Sequence, residues 1–379
     1  GPHVCLFPDT VLDVCDLAVR GEGDELLPEL LQCLAQGRDA RSLPGVSYLD
    51  SGRIVHNPDR APPAIPTTAP DPTLIDGLPA RTGRFRRHQV LNTLQTSRGC
   101  KFQCRFCPTK KLFGGVYRNR DIESIVQDIR GRLRFGRMFL VVDNSFLSNR
   151  PRTIELLRRL ASENLGAMFI VFERHEIGRD DEMLRLMWQA GVRCIIVGIE
   201  SLEDENLRFY DKRQTSRDVI RSVENILAHR MQVIGTFVLG GDNDTKEKAD
   251  GIVRFVKSTG IIPNLFIVHD LEHEESKGMM MPLSRRFDTY YRRQDPSNTD
   301  FFDYLTGNFV TYYPKRMKPS TLQQCMTDIY RDLFSYRNIL GRVFSPNLFN
   351  ATFGVGPWFS TRPLSQPVLE PVTDYYLGF

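Results

Sequence analysis

The stretch SRGCKFQCRFCPTKKLFGG, Ser97 to Gly115, places three of the chain's eight cysteines within eight positions. Cys100, Cys104 and Cys107 form C-x3-C-x2-C on a polar, glycine-led loop that follows the β-rich run Leu91 to Thr96. Three ordinary readings compete for such a group. Tight zinc sites use four ligands, usually as two pairs, and no second Cys or His pair follows at suitable spacing. A disulfide would leave one thiol over, and core cysteines fit poorly on so polar a loop. Three thiolates do suit a [4Fe-4S] cluster whose fourth iron lacks a protein ligand, because ferredoxin-type clusters normally take four. An iron left open in this way can bind the amine and carboxylate of a small molecule.

The surrounding sequence alternates short β-branched runs with amphipathic stretches, the mark of repeated βα units and a parallel sheet. Six strands are expected: Leu91 to Thr96, Met138 to Val142, Ala167 to Phe172, Val192 to Ile199, Val233 to Leu239 and Asn264 to His269. Helices fit at Asp121 to Arg134, Asp181 to Ala190, Ser216 to His229 and Lys246 to Ser258. Thr215 with Asp218 suits a capping box for the third of these, as Ser320 with Gln323 does for a later helix carrying Leu322, Met326, Ile329 and Leu333. Upstream, Val46 to His56 reads as a hairpin around Asp50-Ser51-Gly52, and Glu25 to Leu34 as a helix. Seven prolines between Pro58 and Pro79 favour an extended connection. Beyond Gly278 the alternation stops and aromatic pairs cluster.

Composition bounds the rest. Hydrophobic residues at 41% and charged residues at 25% belong to a globular protein, and no apolar run approaches the roughly 20 residues that span a bilayer. The net charge of +4 is mild and the basic patch Arg81 to His88 is short, so nucleic acid is not an expected partner. The other cysteines, at 5, 15, 33, 194 and 325, show no pairing rhythm, which points to a reducing, cytoplasmic compartment. The chain opens Gly1-Pro2 without an initiator methionine and is read as starting inside a protein or after processing.

Cys100, Cys104, Phe106 and Cys107 meet the C-x3-C-x-aromatic-C signature, and the chain here resembles the radical S-adenosylmethionine (SAM) enzymes. The resemblance covers about Val90 to Asp270 and implies an α/β fold, a partial (β/α)6 TIM-like barrel with the cluster at the top of its first strand. It also implies that the open iron chelates the methionine end of SAM, that one electron breaks the sulfur to 5′-carbon bond, and that the 5′-deoxyadenosyl radical abstracts a substrate hydrogen. Site residues follow from it one at a time. Phe106 resembles the aromatic residue that shields the cluster, its alternative being a core phenylalanine. Asp143 and Asn144 stand where a turn after the second strand presents backbone oxygens to the methionine amine; an ordinary Asx turn is the alternative. Glu200 and Ser201, closing the fourth strand, resemble the polar strand end that meets ribose and carboxylate, against a plain helix cap. Lys212 resembles a basic side chain that pairs with the substrate carboxylate, against a solvated surface lysine. Gly235 and Thr236 resemble the fifth-strand motif where glycine lets adenine approach the backbone.

Outside the barrel the chain resembles the cobalamin-binding branch of this family, through Gly1 to Val4, Pro8, Gly21 to Glu25 and Pro44 to Tyr48, while Tyr313 to Met317 resembles the C-terminal segment of its anaerobic cyclase and hopanoid-associated members. That resemblance implies a remnant of a cobalamin-binding domain over residues 1–57, a linker over 58–89, the barrel over 90–275 and a helical, aromatic-rich region over 276–379. D-x-H-x-x-G, the motif whose histidine sits under cobalt, is not found in these residues, so full cobalamin binding by them is not expected. His269, Asp270 and His273 are candidates to face substrate, with structural roles as the alternative. The expected partners are a lipid-like or secondary-metabolite substrate and a reductant such as flavodoxin or ferredoxin. The expected chemistry is methyl transfer to an unactivated carbon. The alternatives are oxidative ring formation and a non-catalytic iron-sulfur or zinc protein.

Overall fold

A computed structural model describes residues 1–6, 8–12, 14–67, 70–74, 91–102, 104, 107–212, 214–241, 243–268, 307–308, 310, 314 and 316–343. Phe106, the patch Arg81 to His88, His269, Asp270, His273 and most of the aromatic-rich region lie outside them.

The N-terminal residues build a small antiparallel sheet in the order β1 (Leu17–Val19), β2 (Val46–Asp50), β3 (Arg53–His56). The hairpin joining β2 and β3 turns at Ser51 and Gly52, both with positive φ, which is the twist-matched geometry of a two-residue loop. The helix Gly23–Ala35 buries Leu26, Leu30 and Cys33 against Ala40, Leu43 and Val46, giving this unit a core of its own. The proline-rich connection leaves it in extended form. It is pinned through its carbonyls, which have few competing donors in a proline-rich chain: Arg118 donates to Pro63 O, Arg120 to Thr67 O and Arg132 to Pro70 O.

The larger unit is one curled sheet of six strands, all parallel, in the order β11-β10-β9-β8-β7-β4. These are β4 (Leu91–Leu94), β7 (Met138–Val141), β8 (Met168–Arg174), β9 (Val192–Glu200), β10 (Gln232–Leu239) and β11 (Ile262–Ile267). A two-residue ladder, β5 (Ser97–Arg98) with β6 (Arg118–Asn119), closes the cysteine loop. Neighbours in space are neighbours in sequence, as a half-barrel requires, and all six expected strands are found within about two residues of their predicted ends. Alternation sorts the two faces. Phe139, Val141, Phe169, Val171, Ile195, Val197, Val233 and Phe237 point outward into the core under the helices, while Leu140, Ile170, Phe172, Ile234, Val238 and Phe266 stay half-buried on the concave face.

The expected helices appear as Ile122–Arg132, Asp181–Gln189, Ser216–Ala228 and Lys246–Thr259, and the Thr215–Asp218 capping box is formed. A further helix, Arg150–Glu163, joins β7 to β8. Its six charged side chains in fourteen residues obscure a stripe of Thr153, Leu156, Leu157 and Leu160, while Asn149 and Pro151 start it. The second expected capping box is not formed. Pro319 takes a first-turn position in the helix Pro319–Leu333, Ser320 falls inside it, and Gln323 instead donates to Asn308 O at 2.9 Å and accepts from Val310 N at 3.0 Å. That helix packs on Lys246–Thr259, where Lys257 meets Asp332 at 2.7 Å.

Phe139 is fully buried, with its ring 5.7 Å from that of Phe169. Replacing it with alanine should cost about 3–5 kcal/mol in urea unfolding, because transfer and cavity costs add at a site boxed in by two layers.

Candidate functional site

A parallel sheet delivers every strand's carboxyl end to one edge, and the polar residues of this chain collect there. The cysteine loop leaves β4 at that edge and is fastened by Asp143, which follows β7. Its buried carboxylate accepts from Thr96 N at 2.7 Å, Ser97 N at 3.0 Å and both hydroxyls. Burial pushes the pKa of this carboxyl up, against the pull of those four donors. This is a tie across more than forty residues rather than a local Asx turn. Next to it, the amide of Asn144 donates to Thr109 Oγ1 at 3.3 Å, and Thr109 in turn meets the Cys107 Sγ at 3.1 Å. The loop's entry is tight: Gly99 has φ +85°, and a Cβ there would lie 2.3 Å from Val116 O.

The three thiols are partly exposed. Burial raises the pKa of Cys100, which the Phe102 amide and the Ser148 hydroxyl partly offset. Burial also raises that of Cys104, opposed by the positive charges of Lys212 and Arg174. Among the described residues no three Cys, His, Asp or Glu side chains close on a single ion. A cubane instead spreads its thiolates over separate irons. The donor set therefore fits a three-thiolate cluster: three sulfurs on one partly exposed loop, with cations beside Cys104 and a hydroxyl at Cys107.

Glu200 and Lys212 face this loop as a pair. Lys212 Nζ lies 2.8 Å from Glu200 Oε1, with side chains 5% and 9% exposed, so Lys212 is not a solvated surface residue. The backbone is bent to allow it. The β9–β10 register slips at this point, pairing Thr236 with Gly198 and Phe237 with Glu200, and Glu200 takes φ +63°. Gly198 supplies the room, since a Cβ there would stand 2.7 Å from Glu200 Oε1 and 3.0 Å from Lys212 Nζ. Ser201 is also buried and accepts from Glu203 N at 3.1 Å, so it, rather than Glu200, tends the start of the helix Asp204–Phe209. Thr236 lies beside Gly198 on the concave face and donates to Val197 O at 3.2 Å. Gly235 faces the other way. The space over it holds the tips of Ile199 and Ile261, so core packing accounts for glycine there.

The structure adds residues that spacing alone did not single out. Arg174, paired in register with Gly198, points Nη1 at the Cys104 Sγ, 3.5 Å away. Glu173 turns outward and is buried, accepting from Ser145 Oγ, Leu147 N and Arg174 N. A charged pair ending an otherwise apolar strand was the available signal.

A family description, Radical SAM superfamily, matches residues 94–256. These residues belong to the radical SAM superfamily. The radical SAM domain has relatives over more of the chain. An uncharacterized methyltransferase of Pyrococcus horikoshii is 26% identical over 275 residues, covering 69% of this chain and 57% of that protein. The hopanoid C-3 methylase of Methylococcus capsulatus is 29% identical over 206 residues, 52% of this chain and 37% of its own length. The chain thus spans about half the length of the curated relatives it matches. In fold it is similar to the cobalamin-dependent SAM radical enzyme OxsB with aqua-cobalamin and SAM bound, with a TM-score of 0.61 and 17% identity over 94% of this chain and 57% of that one.

Because Glu200 and Lys212 are buried together, Lys212→Met should lower stability by about 3–5 kcal/mol, leaving an uncompensated charge, while Glu200→Gln with Lys212→Met should recover most of the loss. A double-mutant cycle in urea reads the coupling.

Proposed function

We propose that this chain carries the catalytic core of a radical SAM enzyme that transfers a methyl group to an unactivated carbon of a small molecule. The observation that carries the reading is the meeting of Cys104, Arg174, Glu200 and Lys212 at one sheet edge, beside a loop with two further thiols. When bound, a [4Fe-4S] cluster and SAM supply a one-electron cleavage of the sulfonium that yields a hydrogen-abstracting 5′-deoxyadenosyl radical. Cys100, Cys104 and Cys107 would hold three irons. Lys212 would offer its ammonium to a carboxylate, Glu200 and Ser201 would meet ribose hydroxyls, and the strand end at Asp143 and Asn144 would face the amine. Thr236 adds a hydroxyl on the same face. Phe106 would shield the cluster. Gly235 serves the core. The apolar concave face keeps water from a reactive centre.

That face also suits a lipid-like or similarly apolar secondary metabolite, in keeping with a hopanoid methylase among the relatives. We read residues 1–57 as part of a cobalamin-binding domain, 58–89 as its linker, 90–275 as the barrel and 276–379 as a C-terminal cover. The fold likeness to OxsB supports this division, since it runs over 94% of the chain. The D-x-H-x-x-G motif is not found in these residues, and no cobalamin contact is assigned to them. Among the described residues no helix is long and apolar enough to cross a membrane. A cytoplasmic setting with flavodoxin or ferredoxin as the single-electron donor completes the proposal.

Anaerobic reconstitution should give about four irons per chain and reductant-dependent 5′-deoxyadenosine, and alanine at any of the three cysteines should abolish both. One bound zinc and intact SAM would refute the reading. Methyl-labelled SAM, followed into product by mass analysis, separates methyl transfer from oxidative ring closure.

A further inference from the structure

Arg174 is the last residue of β8 and is held on three sides. Nε and Nη2 fork onto the Glu176 carboxylate at 3.0 and 2.6 Å. The guanidinium carbon lies 4.3 Å from the centre of the Phe102 ring. Its remaining edge presents Nη1 to the Cys104 Sγ at 3.5 Å. With 12% of the side chain exposed, little water competes for these contacts. The planar fork explains why arginine stands here: one edge is fixed by a carboxylate and one face by an aromatic ring, so the other edge has a set direction. The nearby cation Lys212 is differently engaged, since Glu200 faces it at 2.8 Å.

We propose that Arg174 tunes the reduction potential of the cluster through the Cys104 sulfur, with Glu176 as the counter-charge that moderates it. This rests on the reading of Cys100, Cys104 and Cys107 as cluster ligands. Reduction adds one electron from an external single-electron donor and takes the cluster from the 2+ to the 1+ state with no bond made or broken. A positive charge and a hydrogen bond at a ligating sulfur favour the more negative state, and so raise the potential. Arg174 is thus a positioning and tuning residue rather than a catalytic one. Its removal should make reduction harder even where SAM is absent.

The test is an EPR-monitored redox titration, with dithionite as reductant and no SAM, of the reconstituted wild type and three variants. Arg174→Met should lower the midpoint by about 59 mV, a tenfold loss in the reduction equilibrium. Arg174→Lys, keeping the charge, should stay within about threefold of wild type. Glu176→Gln should move the midpoint the other way, an opposite sign that general loosening of the loop would not produce. Iron content of each variant is read alongside. Unmoved potentials in Arg174→Met and Glu176→Gln, or equal shifts in Arg174→Met and Arg174→Lys, would overturn the role of Arg174. A wild type with no reduced-cluster signal at all would overturn the cluster reading itself.

Discussion

One buried carboxylate fixes where the chemistry of this chain can happen. Asp143 takes hydrogen bonds from two backbone amides and two hydroxyls of Thr96 and Ser97. It thereby binds the exit of β4 to the exit of β7. That tie adds to the β4–β7 pairing and the β5–β6 ladder in setting the three thiols against the rest of the sheet edge. A charge so deeply buried is tolerable because all four donors point at it. The rest of the site is arranged around the position it secures: Asn144 reaches Thr109 and so Cys107, and Arg174 reaches Cys104 from the next strand.

The edge gathers charge for a topological reason. Six parallel strands in sequence order present six carboxyl ends side by side, and each apolar run stops where the pleat reaches solvent. At β9 the stop is forced by a bulge. Slipping one residue turns Glu200 back toward Lys212, over a glycine whose missing Cβ leaves them room. Strained backbone at a strand end is the kind of feature that packing alone would not retain. The N-terminal unit joins at the same place, since Glu22 and Asp24 pair with Arg98, two residues before Cys100, and Glu22 also reaches Arg118 on the partner strand β6.

Much of this was legible in the residues. β-branched runs marked the six strands because a parallel sheet with helices on one face and a half-buried apolar concave face on the other needs near-continuous apolar segments, and C-x3-C-x2-C named its own chemistry. Arg150–Glu163 was harder to see, because its charges hide a four-residue stripe. At Ser320 the capping pattern was present, but Pro319 set the helix start first. Gly235 and Gly198 show the limit most clearly. Both look permissive in sequence, yet only the three-dimensional packing tells that one makes space for core side chains and the other for an ion pair. Arg174 is marked in the sequence only as half of a charged pair ending a strand, since its partners Phe102, Cys104 and Glu176 meet only when β8 lies beside the cysteine loop.

The central claim is that three sulfurs of this chain hold a cluster with one iron left for SAM. Electron-nuclear double resonance on the reduced, reconstituted protein tests it most directly, comparing SAM labelled with 15N at its amine against protein labelled throughout with 15N. A directly coordinated nitrogen that follows the label on SAM is the predicted result. A strongly coupled nitrogen that follows the label on the polypeptide would contradict it.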